Sequence, residues 1–255
     1  MTGIPNLHWV QAPASSTLAM RPYALLVLIA ALSPSLLGAQ DPETIPVFAG
    51  GHLLFANLVG EFDENVDFGF GLGAHGRLPV DDDGTLSLRL DLGFINYGNE
   101  TTRICITQPC RVTGDLTTSN NIFLLGIGPE IGVGSGAARL YANASIGLAY
   151  FATTSSVEGE DELFDPFASS TNFDDVTFAW TAGPGAQLRV WRGVRVLVSL
   201  DLFARYHGNG EARYLRKGDI HDQPDGSVIL DPQQSETNFW TVGLGVSVGF
   251  RTEEQ

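Results

Sequence analysis

The C-terminal segment Trp240–Phe250 alternates strictly between large apolar residues and small or polar ones. Side chains on a β-strand point alternately to its two faces, so this segment has one apolar face and one small, polar face. Similar alternation recurs along the chain after residue 45. The chain is therefore restricted to folds built from amphipathic strands. A soluble sandwich and a membrane barrel both satisfy this pattern, and they differ in which face looks inward.

The N-terminal region has the pattern of a secretory signal. Met20-Arg-Pro-Tyr precedes an apolar run, Ala24–Leu32, and small residues then lead to Gln40. An apolar run of roughly ten residues is too short to span a membrane as a helix. We predict a start at Met20 and an upstream extension plus signal peptide over residues 1–39. The alternative is an apolar helix that stays in the fold.

Composition limits the possible environments of the mature chain. Only 17% of the residues are charged, against about 25% in soluble domains. No apolar run after the signal approaches the ~18–20 residues of a membrane helix. A membrane location would therefore require a closed barrel, because lipid cannot satisfy the polar groups of open strand edges. The formal charge of −15 argues against nucleic acid as a partner.

The alternation predicts eight strands, whose connections are sorted by length. The strands are expected at Val47–Gly60, Val66–Leu78, Thr85–Tyr97, Asn121–Val133, Arg139–Ala152, Val176–Val190, Val194–His207 and Thr237–Phe250. Short connections (Pro79–Gly84, Gly134–Ala138, Trp191–Gly193) alternate with long ones (Gly98–Asn120, Thr153–Asp175, Gly208–Glu236), and Glu61–Asn65 is the short exception among the latter. Outer-membrane barrels sort their loops in this way.

The two faces of the strands differ in a way that is the reverse of a soluble core. In Val194–His207 one face carries the polar residues Arg195, Asp201 and Arg205. The other carries apolar residues: Val194, Val196, Val198, Leu200, Leu202 and Tyr206. Charged residues are rarely buried unpaired, and a core is filled by large apolar side chains. The apolar face should therefore meet lipid. Aromatic residues near strand ends should form interfacial girdles: Tyr150, Trp180, Trp191, Tyr206 and Trp240.

We therefore predict an all-β fold, an eight-stranded antiparallel up-and-down transmembrane β-barrel over residues 47–250. Short periplasmic turns and long extracellular loops are expected, with a short periplasmic segment at 40–46 and a periplasmic tail at 251–255. Pro129 and Pro184 interrupt two strands, and we expect paired β-bulges there. Glu211–Arg216 is expected to form a raised hairpin with Gly226–Leu230.

The signal, the eight alternating strands, the loop lengths and the terminal strand Gly243–Phe250 together resemble the small eight-stranded outer-membrane barrels, the group of the OmpA transmembrane domain, OmpX and OmpW. The resemblance covers essentially the whole mature chain. It implies outer-membrane lipid and lipopolysaccharide as partners, folding by the barrel-assembly machinery, and no catalytic motif. Arg251–Gln255 follow the terminal aromatic residue, which departs from the assembly signal of that group. We expect a monomer.

Inward-facing charges cluster by depth in the predicted barrel. Five arginines lie near short turns (Arg77, Arg89, Arg139, Arg189, Arg195), and three acidic residues lie slightly deeper (Asp91, Glu130, Asp201). An eight-stranded barrel is just wide enough for its side chains to fill, and buried charges must be paired. These residues are therefore expected to form an arginine–carboxylate plug. The alternative is an anion-selective or proton-gated constriction.

The remaining polar residues suggest no catalytic or metal centre. Cys105 and Cys110 lie close together in a polar loop of an exported chain, which favours a disulfide. We predict no metal site and no cofactor, since a zinc site needs further cysteine or histidine ligands near this pair. The acidic long loops either keep the protein soluble or bind divalent cations weakly.

Enzyme functions find little support in these residues. A lipid A deacylase needs serine beside histidine, and neither His75 nor His207 has a serine two residues away. Asp219 and His221 match half of an omptin-type protease site, without a second aspartate pair. We therefore predict a non-catalytic barrel with a structural or surface-interaction role. The alternatives are a narrow small-solute pore and, behind it, a lipid A-modifying enzyme.

Overall fold

A computed structural model describes residues 47–66, 68–105, 109–111, 113–134, 136–158, 168–193, 195–223 and 228–250. The predicted signal region (1–39), the segment 40–46 and the tail 251–255 lie outside the described residues. Within the part of the chain that the structure describes, no helix has the length and apolar character needed to cross a membrane.

Eight strands close a barrel in the described chain. They are β1 (Val47–Leu58), β2 (Phe68–Pro79), β3 (Leu86–Cys105), β4 (Thr113–Val133), β5 (Ala138–Glu158), β6 (Ala168–Arg192), β7 (Val196–Asn209) and β12 (Phe239–Phe250). Each strand pairs antiparallel with its neighbours, and β1 pairs with β12 from Val47–Phe250 to Leu58–Phe239. The fold-class prediction, an all-β, eight-stranded, antiparallel up-and-down barrel, is confirmed.

The wall of the barrel carries its large apolar side chains on the outside. Leu72, Phe178 and Leu202 are each more than half exposed. Arg89 and Asp201, by contrast, are buried on the inside. This distribution is the reverse of a soluble core, and it suits a wall that faces hydrocarbon.

A belt of aromatic side chains surrounds the barrel near the level where β1 and β2 approach their connection. Every barrel strand contributes one outward ring to it: Phe55, Phe70, Phe94, Phe123, Tyr150, Trp180, Tyr206 and Trp240. Several neighbouring rings are in contact, as between Trp180 and Tyr206, whose centroids are 5.4 Å apart. Trp191, also expected in a girdle, lies at the end of β6 that carries the short turns.

Four strands continue beyond this belt as a platform. Its residues are 98–105 of β3, 113–120 of β4, 153–158 of β5 and 168–175 of β6, and the pairing reaches Cys105–Thr113, Asp115–Glu158 and Val157–Ala168. The predictions of loops at Gly98–Asn120 and Thr153–Asp175 are therefore largely wrong. Both faces of the platform are mostly polar, so the period-2 signal disappears, although threonine still favours strands. Their hydroxyls bond across the ladder, as between Thr118 and Ser155 at 2.7 Å.

The last long connection contains two further antiparallel pairs. The strand β8 (Glu211–Tyr214) pairs with β11 (Gln233–Glu236), and β9 (Ile220–Asp222) pairs with β10 (Val228–Leu230). A raised hairpin is present, but the predicted pairing of Glu211–Arg216 with Gly226–Leu230 is wrong, because β9 takes that partner.

The two wall prolines do not form bulges. Pro129 pairs with Leu88 on one side, and the ladder to β5 skips residues 128–129 without a change of register. Pro184 behaves in the same way between β5 and β7. Proline has no N–H to donate, so one ladder loses its bonds there while the other is kept. Glycine precedes each proline, and a Cβ at Gly128 would overlap the carbonyl of Ala144.

Aromatic residues fill the lumen at the end that carries the long loops. A short 3-10 turn after β1, Gly60–Phe62, directs Phe62 inward, where it is fully buried. Its ring centroid is 5.0 Å from Tyr214, 5.9 Å from Tyr97 and 6.1 Å from Phe151, in edge-on contacts. Burial raises the pKa of Tyr214, which lies outside the wall in β8. We call Phe62, Tyr97, Phe151 and Tyr214 the aromatic plug. It was not predicted from the sequence, because Phe62 lies in a predicted connection.

Replacing Phe62 with Ala should lower the free energy of unfolding by about 3–5 kcal/mol, because it removes apolar contacts and leaves a cavity. Urea titration of protein folded in detergent micelles measures this change. The outward substitution Phe178→Ala leaves no internal cavity and should cost less. An equal or smaller loss for Phe62→Ala would contradict the plug.

Candidate functional site in the barrel lumen

A buried carboxylate organises the half of the lumen near the short turns. Glu130 of β4 is fully buried and accepts hydrogen bonds from Arg89 Nη1 at 2.7 Å and from Arg139 Nη1 at 2.6 Å. Arg77 Nε lies 3.6 Å from the same carboxylate. The four side chains come from consecutive strands, β2 to β5, at inward positions close in register. Charge-assisted bonds of this kind are the strong ones.

The same network extends across the lumen. Arg89 Nε donates to Asp91 at 2.9 Å, and Arg205 Nη1 of β7 donates to Asp91 at 3.0 Å. The Arg205 guanidinium also lies 4.0 Å from the centroid of the Phe203 ring. We define the arginine network as Arg77, Arg89, Asp91, Glu130, Arg139 and Arg205. It ties opposite walls of the barrel together.

The network brings together five of the eight predicted lumen charges: Arg77, Arg89, Asp91, Glu130 and Arg139. Arg189 is half-buried on the inward face of β6. Arg195 is exposed and lies one residue before β7, which begins at Val196. Arg205 reaches Asp91 across the narrow lumen. Arg205 was not among the predicted lumen charges, because the predicted arginines are those that lie near the short turns.

Asp201, the remaining predicted charge, belongs to a separate cluster. Its Oδ2 lies 3.1 Å from His52 Nε2, and its Oδ1 accepts a hydrogen bond from Tyr141 Oη at 2.8 Å. The rings of His52 and His75 stack with centroids 4.7 Å apart. His75 Nε2 lies 3.3 Å from Ser247 Oγ. Among the described residues, no arginine comes within ion-pair distance of Asp201.

This cluster was not foreseen from the sequence. His52, His75 and Asp201 come from β1, β2 and β7, and we call them the His–Asp cluster. All three side chains are buried. Alternation does place His75 and Asp201 on inward faces, but their proximity depends on how the barrel closes. Gly50 makes room for the His75 ring, since a Cβ there would overlap it.

A small cavity lies in the lumen, with a mostly apolar lining into which a few polar side chains reach. Its volume is about 40 Å³, and glycines, leucines and Phe203 line it together with the polar residues His52, Asp91, Arg205 and His207. That volume accommodates about two or three water molecules. Nε and Nη2 of Arg205 are buried and have no hydrogen-bond partner among the described residues. The cavity therefore offers unpaired donors to ordered water.

Residues considered as catalytic are not assembled into an accessible site. Asp219 is buried and bonds Arg216 Nε at 3.1 Å, while His221 is exposed. Ser247 and His75 do approach each other across strands, which a search within one strand could not detect. Both are buried inside the lumen, with 1% and 4% of their surface exposed. A lipid substrate in the surrounding bilayer does not reach them through the intact wall.

Cys105 and Cys110 form the expected disulfide, with their Cα atoms 5.1 Å apart. Cys105 is the last residue of β3 and pairs with Thr113 of β4. The disulfide therefore closes the tip of the β3–β4 hairpin, at the outer end of the platform.

The closed ring, its apolar exterior and its filled, charged interior define an outer-membrane β-barrel. No family model and no curated protein matches the sequence. In structure the chain is similar to Neisserial surface protein A, with 12% identity and a TM-score of 0.43 over 80% of this chain and 97% of that one. It is also similar to Ail of Yersinia pestis, with 10% identity and a TM-score of 0.40 over 80% and 97%. A major outer membrane protein of Thermus thermophilus gives 9% identity and a TM-score of 0.37 over 80% and 99%. The fold assignment itself rests on the strand pairing.

Replacing Glu130 with Ala should lower the free energy of unfolding by about 3–5 kcal/mol, because buried arginines lose their shared partner. Urea unfolding in detergent micelles measures the loss, and the exposed substitution Asp83→Ala serves as the control. The loss should change little between low and high salt, since buried pairs are weakly screened. A loss that vanishes in salt would mean that the network is open to solvent.

Proposed function

We propose that this barrel is a non-catalytic, non-conducting anchor that holds an extended β-platform at the cell surface for interaction with other molecules. The observation that carries this proposal is that the lumen is filled in both halves while four wall strands continue beyond the belt. A pore would need a continuous channel, and a lipid-modifying enzyme would need reactive groups that meet lipid.

The filling of the lumen supports the non-conducting part of the proposal. The aromatic plug is apolar and its rings touch one another across the lumen, so it opposes the passage of water and ions. The arginine network spans the other half with direct ion pairs, as between Arg89 and Glu130. The 40 Å³ cavity between them is too small to form a channel by itself.

The platform supports the interaction part of the proposal. Beyond Asn96, which pairs with Phe70, the outer edge of β3 has no strand partner among the described residues. Free edge N–H and C=O groups can pair with an added strand from another molecule. Thr101, Thr102 and Arg103 on this edge are exposed and polar. Strand addition at this edge is the mode of binding that the geometry favours.

The remaining partners follow from the environment of such a barrel. The outward apolar wall is suited to outer-membrane lipid, and the platform end is suited to contact with lipopolysaccharide. Folding by the barrel-assembly machinery is proposed from the terminal strand that ends at Phe250. We propose a monomer, because the ring of strands is closed without a second copy.

Refolded protein in planar lipid bilayers should show no discrete conductance steps, because each half of the lumen is filled independently. The variant Phe62→Ala should also stay silent, since the arginine network still closes the other half. Single-channel recording measures both proteins. Regular steps from the unaltered protein, especially steps that grow in Phe62→Ala, would favour the pore instead.

The surface role requires the long-loop end to face outward from the cell. Lys217 and Asp83 are both exposed and lie in connections at opposite ends of the barrel. A membrane-impermeant maleimide should label Lys217→Cys in intact cells, and Asp83→Cys only after the outer membrane is permeabilised. Labelling of Asp83→Cys alone in intact cells would place the platform in the periplasm and rule out the surface role.

A further inference from the structure

The His–Asp cluster has the composition and spacing of a metal site. One nitrogen from each of His52 and His75 and one oxygen of Asp201 lie within 4.8 Å of one another. We propose that these three residues bind a divalent transition-metal ion of the zinc type inside the barrel. This site is independent of the proposed surface role.

The distances require only a small adjustment to hold an ion. Zinc binds imidazole nitrogen and carboxylate oxygen at about 2.0–2.2 Å, so tetrahedral ligand atoms lie about 3.4 Å apart. His52 Nε2 and Asp201 Oδ2 are already 3.1 Å apart. The His75 nitrogen lies within 4.8 Å of the other two ligand atoms, so a ring rotation that moves it by no more than about 1.5 Å completes the triangle. Three protein ligands leave one position for water, and His52 borders the cavity that would supply it.

Hydrogen bonds behind the ligands orient them. Tyr141 Oη donates to Asp201 Oδ1, which leaves Oδ2 facing His52. Ser247 Oγ bonds His75 Nε2, and Nδ1 of His75 is buried with no partner among the described residues. Such outer bonds fix the ring and the tautomer of a metal-binding histidine. A buried histidine nitrogen without a hydrogen-bond partner is costly, and a metal ion would remove that cost.

Charge decides which ion suits the site. Asp201 is available to a cation because it makes no ion pair with an arginine in the described chain. The nearby arginine network has four arginines against two carboxylates, an excess of two positive charges, and this opposes a loosely held ion. Imidazole ligands bind Zn²⁺, Co²⁺ or Ni²⁺ strongly, whereas Ca²⁺ and Mg²⁺ prefer sets of oxygen ligands. The site should therefore select the transition metals.

The position of the cluster gives the ion a structural consequence. β12 lies between β1 and β7, so His52 and Asp201 reach each other across the strand that closes the ring. An ion held by both would link the first hairpin, β1–β2, to β7 across this seam. Because the ion binds only the folded barrel at this geometry, it would raise the stability of the closed ring.

Two arms with chelator-treated protein in detergent micelles test the proposal. In one, ZnCl2 is present during refolding and the zinc content is measured after removal of free ion; in the other, folded protein is titrated with ZnCl2 in a calorimeter. One Zn²⁺ per barrel is expected, and binding after folding should be slower because the lumen is filled. Co²⁺ should give the visible absorption of a tetrahedral site. CaCl2 and MgCl2 should have no effect on either readout.

Substitutions distinguish Zn²⁺ binding at the His–Asp cluster from binding by other histidines of the chain. His75→Gln and Asp201→Asn, which keep side-chain size, should each weaken Zn²⁺ binding at least about 100-fold, and Ser247→Ala about tenfold or more. His207→Gln is the matched control, because His207 is equally buried but bonds Thr181 and Thr241 outside the cluster. His221→Ala removes the exposed histidine of β9 and should not alter binding. Absence of bound Zn²⁺ in both arms, or binding retained in a folded His75→Gln variant, would overturn the proposal.

Discussion

The pairing of β1 with β12 is the constraint on which the rest of the molecule depends. Lipid offers no hydrogen-bond partners, so a membrane wall of strands exists only when its first and last strands meet. The twelve residue pairs from Val47–Phe250 to Leu58–Phe239 supply this closure. Closing a ring of eight strands fixes a lumen that side chains fill. The buried charges inside must then find partners within reach, and the arginine network is the result.

Two chemically different sets of side chains fill the two halves of the lumen. Toward the long loops it is packed with rings that need no polar partners, apart from hydroxyls such as that of Tyr214, which bonds Ser235. Toward the short turns it holds charges whose partners come from neighbouring and opposite strands. The small cavity lies between these regions, bordered by Phe203 and Arg205, whose side chains leave some of the space unfilled. The His–Asp cluster borders that cavity through His52. Its buried imidazole and carboxylate groups can bind a metal ion, whereas the rings of the aromatic plug cannot.

Alternation along the chain was sufficient to predict the membrane part of the fold. In Trp240–Phe250 and β7 it identified both the strand and the face that meets lipid, because hydrocarbon selects large apolar residues on one side only. It failed beyond the belt, where residues 113–120 are mostly polar on both faces yet remain paired. Alternation also could not predict which side chains meet across the lumen. His52 and Asp201 are 149 residues apart, and their meeting is set by strand tilt and stagger in the closed ring.

The arginine network bears on a question that the lipid-facing wall leaves open, namely how far each strand is displaced along its neighbour. A slip of one residue would turn apolar side chains inward, and lipid would oppose it. A slip of two residues keeps every side chain on its own face, so the membrane is almost indifferent to it. That slip moves one strand by about 6.6 Å, which would separate Arg89 from Glu130, now in contact at 2.7 Å. The inward ion pairs therefore form in only one register of β2 to β5, and they stabilise that register over those shifted by two residues.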